Sequence, residues 1–133
     1  MNNKRKDEEK IRRIINGESS ILNEYAEYLA KEYAPQHDRE KKQKLTASQI
    51  RNILDDVQRM REDDIQQGRL ELLRPKLAYV SGRNRESWAL RELREILDSA
   101  IKFVGNDFKK FENFRNLFEA IVGYHKFYSK VKD

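Results

Sequence analysis

The chain has 133 residues, room for one domain of ordinary size, and it contains no cysteine, which excludes disulfides, thiolate metal sites and cysteine nucleophiles. Apolar and charged residues each make up 38% and mean hydropathy is -0.98, yet six Phe, six Tyr and one Trp exceed what a disordered chain carries. Net charge is a modest +5, and only five Gly and two Pro point to helices with short connections.

The N-terminus, MNNKRKDEEK, leads into no apolar run of signal-peptide type. No stretch approaches the roughly 20 apolar residues of a membrane-spanning helix, so a cytoplasmic location without membrane contact is expected. Residues 1–19 mix charge with little apolar content. Ile11, Ile14 and Ile15 can extend a helix that Gly17 interrupts, and the segment reads as a flexible or frayed basic leader to a single domain over 20–133. Ser19 or Ser20 can cap a helix carrying Ile21, Leu22, Tyr25, Tyr28 and Leu29, which must end before Pro35 because Ala34 is pushed out of the α region. Gln36–Lys44 reads as a charged loop.

Thr46-Ala47-Ser48-Gln49 has the form of a capping box, with Leu45 and Ile50 placed for a hydrophobic staple. Ile50, Ile53, Leu54, Val57 and Met60 then carry an apolar stripe to about Gln67, where Gly68 can end the helix. Leu70, Leu73, Leu77 and Val80 mark a shorter helix with Pro75 near its first turn and Gly82 closing it. A fourth helix spans about Glu86 to Val104. Asn106 or Asp107 caps the last, which is apolar on nearly every side from Phe108 to Tyr128 and so belongs at a bundle centre or under a partner. No strand-length alternation appears, and the expected fold is all-α, a compact bundle of about five helices behind a charged N-terminal leader.

Catalytic and cofactor chemistry finds little support. His37 and His125 are the only histidines, and no glycine-rich phosphate loop or nucleophile elbow is present. Asp56 and Asp63 sit about 10 Å apart along a helix, too far to share an ion. Arg59 lies between them, making a solvated salt-bridge ladder. His125 reads as a packed or hydrogen-bonded histidine. We therefore expect a protein that is no enzyme and carries no cofactor or metal.

Charge is unevenly spread. Residues 68–85 hold five basic side chains against one acidic, a net +4, whereas residues 45–67 are net −2. At about 100° per residue, Lys76, Tyr79 and Arg83 share one face of the third helix, with Arg74 and Arg85 flanking it and Leu73, Leu77 and Val80 facing inward. Cations around an aromatic ring suit single-stranded nucleic acid, supplying charge for phosphates and a π-face for bases. A solvated basic helix end has the same pattern, and the residues alone leave both readings open. The lysines after Tyr124 complement the dipole of the last helix whatever the ligand.

Three segments carry a family likeness. Leu45-Thr46-Ala47-Ser48-Gln49-Ile50-Arg51-Asn52, then Leu73-Arg74-Pro75-Lys76-Leu77-Ala78-Tyr79-Val80-Ser81-Gly82-Arg83, then Phe118-Glu119-Ala120-Ile121-Val122-Gly123-Tyr124-His125-Lys126 follow in this order. The set resembles the small subunit of type III-A CRISPR (Csm) interference complexes over about residues 45–128. Val80-Ser81 stands where the family often has two alanines, and Asn116-Leu117-Phe118 replaces a more aromatic run. The resemblance implies a non-catalytic helical subunit, stacked in several copies along a ribonucleoprotein that serves antiviral defence. Its implied partners are copies of itself, the Csm backbone subunits that hold the guide RNA, the large polymerase-cyclase subunit, and target RNA paired to the guide. On the matching motifs, Arg51, Lys76, Arg83 and Lys126 are the expected RNA contacts. Tyr79, Arg85 and Arg74 rest on the local charge argument. A helical scaffold whose basic patch meets an acidic protein is the alternative, and a duplex-DNA reading of 45–85 as a helix-turn-helix fits poorly with Pro75 and the long acidic helix before it.

Overall fold

The computed structural model of the chain describes residues 7–132. These form seven α-helices and two short 3-10 turns, with no strand among them. The helices are α1 (Glu8–Ile15), α2 (Ser19–Tyr33), α3 (Ala47–Gln58), α4 (Glu62–Gln66), α5 (Leu73–Arg83), α6 (Trp88–Val104) and α7 (Phe108–Tyr128). The all-α expectation holds, with two more helices than the periodicity suggested.

The centre is α7. Phe111, Phe114, Leu117, Phe118 and Ile121 are fully buried, and successive phenylalanine rings lie 6.1 and 6.4 Å apart. Helix α2 packs along it most extensively, and α1, α3, α4 and α6 also pack against it. The expectation of burial on nearly every side holds only in part: one face of α7, through Lys109, Asn116, Glu119, Gly123, Lys126 and Phe127, is exposed. Among large apolar side chains, Leu72, Tyr79 and Phe127 remain exposed.

The first additional helix corrects the reading of residues 1–19 as a loose leader; residues 1–6 lie outside those described. Glu8–Ile15 is a helix whose Ile11, Ile14 and Ile15 are wholly buried against α6, α7 and α2. The Asp7 carboxylate caps it by accepting the Lys10 N–H at 3.1 Å, while Glu8 and Glu9 in its first turn and Arg12 and Arg13 in its last match the helix dipole. Gly17, read as an interruption, sits just past its end at φ 110, a conformation that favours glycine. Three isoleucines at i, i+3 and i+4 suffice to dock two turns, because all three are shielded. Helix α2 then begins after Glu18, with no side-chain cap from Ser19 or Ser20.

The second arises where one long acidic helix was expected. Helix α3 stops at Gln58 and α4 restarts after Arg61, whose extended N–H is accepted by the Asp64 carboxylate at 2.8 Å. Glu62, Asp63 and Asp64 thus form the favourable acidic first turn of a new helix. The break also delivers Ile65 to the core, fully buried. Arg59 pairs with Asp56 alone at 2.6 Å, so the expected ladder to Asp63 is not made.

The capping box forms as its spacing indicates. Thr46 accepts the Gln49 N–H at 3.3 Å, Gln49 accepts the Thr46 N–H at 3.0 Å, and Leu45 and Ile50 are both buried. The charged segment before it is tied down at both ends. Gln36 donates to the Tyr128 carbonyl, Lys130 N–H to the Pro35 carbonyl, and the buried His125 Nε2 to the Leu45 carbonyl at 2.8 Å. Ser87 closes the other end: its hydroxyl donates to the Lys44 carbonyl at 2.9 Å and accepts the Leu90 N–H at 3.0 Å as the N-cap of α6. One buried hydroxyl thereby fixes both the start of α6 and the backbone of the 36–44 segment.

Two stability measurements follow. Ile14→Ala should lower unfolding free energy in urea by about 2–4 kcal/mol, the cost of a core cavity; a loss near zero would return α1 to the status of a leader. Ser87→Ala should cost about 1–2 kcal/mol through the lost cap and the stranded Lys44 carbonyl, and should raise amide exchange across 40–46.

Candidate nucleic-acid interface

The basic stretch 68–85 comprises a 3-10 turn, Arg69–Leu72, followed by α5. Gly68 precedes the turn at φ 81. Pro75 falls in the first turn of α5, where a missing N–H costs no helical hydrogen bond. Leu73 and Leu77 face the core, Tyr79 is 64% exposed, and the Arg83 guanidinium lies over the Tyr79 ring at 5.7 Å.

Folding divides the five cations into two groups. Arg69 pairs with Asp64 of α4 at 3.2 Å. Arg74 grips Asp98 of α6 through two hydrogen bonds, at 2.7 and 3.3 Å, and Glu71 at 3.0 Å. Those hydrogen bonds to Asp98 and then Glu71 hold its guanidinium above the usual arginine range. Lys76 pairs with Asp56 of α3. Exposed pairs of this kind add little stability, but they offset local charge. Arg83 and Arg85 have no carboxylate partner among the described residues. The excess charge of the segment is therefore expressed at its C-terminal end.

That end borders a concave surface of about 380 Å³ between the 36–44 segment, the start of α3 and the α5–α6 corner. Lys41, Lys42, Arg83 and Arg85 line it, and Glu86 is the one acid in its wall. Lys42 has no partner among the described residues, and Lys41 reaches only the exposed Asp38 at 3.6 Å. Thr46, Gln49 and Asn84 complete the wall and hold one another. Gln49, while closing the capping box, donates to the Asn84 side chain at 3.4 Å, and Asn84 donates to the Val80 carbonyl at 2.8 Å. This network fixes the end of α5 against the start of α3. Ser87, one turn further, anchors the backbone that carries Lys41 and Lys42.

The expected contact residues thus separate. Tyr79, Arg83 and Arg85 lie together or border this surface; Lys76 and Arg74 are turned onto carboxylates. Arg51 is exposed on α3 but follows Gln49 by about 200° around the helix, away from the cavity. Lys126 is exposed on α7, next to His125, and does not line it. Lys41 and Lys42 escaped notice because a charged loop carries no periodicity; their one signal was the run Lys41-Lys42-Gln43-Lys44 immediately before a strong helix start.

Four cations converging on an open cavity suit an extended anion with repeated charge, and guanidinium groups match the oxygen geometry of phosphate. The exposed Tyr79 ring beside Arg83 offers a stacking surface.

Among the described residues no helix is long and apolar enough to cross a membrane. No curated protein and no solved structure matches the chain. The family model described as Csm2 Type III-A matches residues 16–131, all but the first 15 residues and the last two. The match takes in α2 to α7 and every wall of the basic cavity, and the chain belongs to that family, the small subunit of the type III-A Csm complex.

Proposed function

We propose that the chain works as a non-catalytic subunit that holds target RNA, paired to the guide, along a type III-A ribonucleoprotein in antiviral defence. The observation that carries the reading is that Lys42, Arg83 and Arg85 surround one cavity with no carboxylate partner among the described residues, while Arg69, Arg74 and Lys76 are paired. Such a surface binds phosphate and shape and reads no base edges. A subunit that must accept any target needs that property, because base pairing with the guide supplies the sequence specificity.

Stacking of several copies against the backbone and polymerase-cyclase subunits agrees with the apolar groove between α2 and α7. Phe127, 76% exposed, forms its rim with Tyr124, and Ala120 and Gly123 form its floor. A side chain that large and that exposed is suited to burial in an assembly.

Charge reversals in the assembled complex test the RNA assignment. Arg83→Glu should weaken target-RNA binding about tenfold or more at moderate salt and flatten the salt dependence. Lys76→Glu should cost less, since the native lysine already spends its charge on Asp56. Unchanged RNA affinity at low salt in Arg83→Glu, with the fold intact, would remove the cavity from the interface.

A further inference from the structure

A second cavity, of about 340 Å³, opens on the other side of the α5–α6 corner. Its floor is Ala78, Ser81 and Gly82 of α5, and its walls are Arg85, Arg91 and Arg94. No carboxylate lines it. Arg85 borders both cavities, so the two basic surfaces are continuous around one side chain.

None of the three arginines forms an ion pair among the described residues. Arg91 donates through Nη1 to the Arg85 carbonyl at 2.7 Å, which fixes its guanidinium beside Arg85 while leaving its other donors available. Arg94 Nε is buried and has no hydrogen-bond partner among the described residues. Arg94 also borders a small cavity shared with Glu8, Glu95 and Asp98, yet it forms no ion pair with any of them. The small side chains of the floor allow a ligand to approach the α5 backbone closely.

We propose that this arginine cavity is a second phosphodiester subsite, which takes the next stretch of RNA backbone beyond the Lys42–Arg83 cavity, with Arg85 bridging the two. The proposal rests on the RNA-facing reading above. Planar guanidinium forks around an acid-free cavity suit phosphate oxygens, and the shared arginine gives one strand an unbroken path.

Fluorescence anisotropy with a labelled 20-nucleotide oligouridylate, titrated onto the full chain across a salt series, tests it. Arg91→Gln with Arg94→Gln should make the slope of log K against log salt shallower by about 1.4, two single-strand contacts, and lower low-salt affinity about tenfold. Gly82→Glu is the arm that spares the core, since a Cβ there meets nothing within 4 Å; it places a carboxylate among the arginines and should weaken binding comparably. Lys42→Gln with Arg83→Gln is the reference. If that pair weakens RNA binding while both arginine-cavity variants leave slope and affinity unchanged, the subsite is wrong and the RNA reading stands. If the unaltered chain binds no RNA at the lowest salt, the subsite falls, while the RNA reading is decided by the charge reversals in the assembled complex. Loss of binding to a polyglutamate chain with RNA binding intact would assign the cavity to an acidic protein and overturn the proposal.

Discussion

Helix α7 presents Phe111, Phe114, Leu117, Phe118 and Ile121 as one apolar stripe about 120° wide, and five other helices pack against α7. The stripe is dehydrated by α1, α2, α3, α4 and α6 together, while the opposite face of α7 stays in solvent. That burial shapes the rest. It recruits two turns of a very polar N-terminal segment to supply Ile11, Ile14 and Ile15. It also breaks the acidic helix at Arg59–Arg61, so that Ile65 can reach the core. With the apolar surface concentrated inward, the many charged residues are left to sort themselves over the outside.

How they sort decides the function of the surface. Acids on α3, α4 and α6 lie within reach of Arg69, Arg74 and Lys76, and neutralise them in pairs. Beyond Tyr79 the one acid along the cavity wall is Glu86. Arg83 and Arg85 then meet Lys41 and Lys42 across a wall made rigid by Gln49 and Asn84, while Ser87 pins the segment behind it. The site is therefore a product of tertiary structure in two senses. Folding removes charge at one end of a basic stretch and adds charge from a loop some 40 residues away at the other.

Much of the fold was legible because its signals are local. The capping box at Thr46, the stop before Pro35, the cap at Asp107 and the 3.6-residue stripes of α3, α6 and α7 each depend on residues within one or two turns. Helix α1 was hidden because three isoleucines among charges form a helix only when docked. The α3–α4 break was hidden because Asp64 looks the same within a helix as at its start. On the surface, the face shared by Lys76, Tyr79 and Arg83 follows from helical spacing, but the pairing of Lys76 with Asp56 depends on how α5 lies against α3, which no spacing encodes. Lys41 and Lys42 were illegible for the same reason. The family likeness over 45–128 supplied what local pattern lacked, and the family match extends it to residues 16–131.

The central claim is that the unpaired cations at the α5–α6 corner face RNA. Ultraviolet crosslinking of the assembled complex on its target, with the crosslinked peptides sequenced by mass spectrometry, examines it most directly. RNA adducts on the peptides carrying Lys41–Lys42 and Tyr79–Arg85, with few on Arg69–Lys76, are the result the account predicts. Crosslinks from Tyr79–Arg85 to protein alone, with no RNA adduct at any salt, would contradict it.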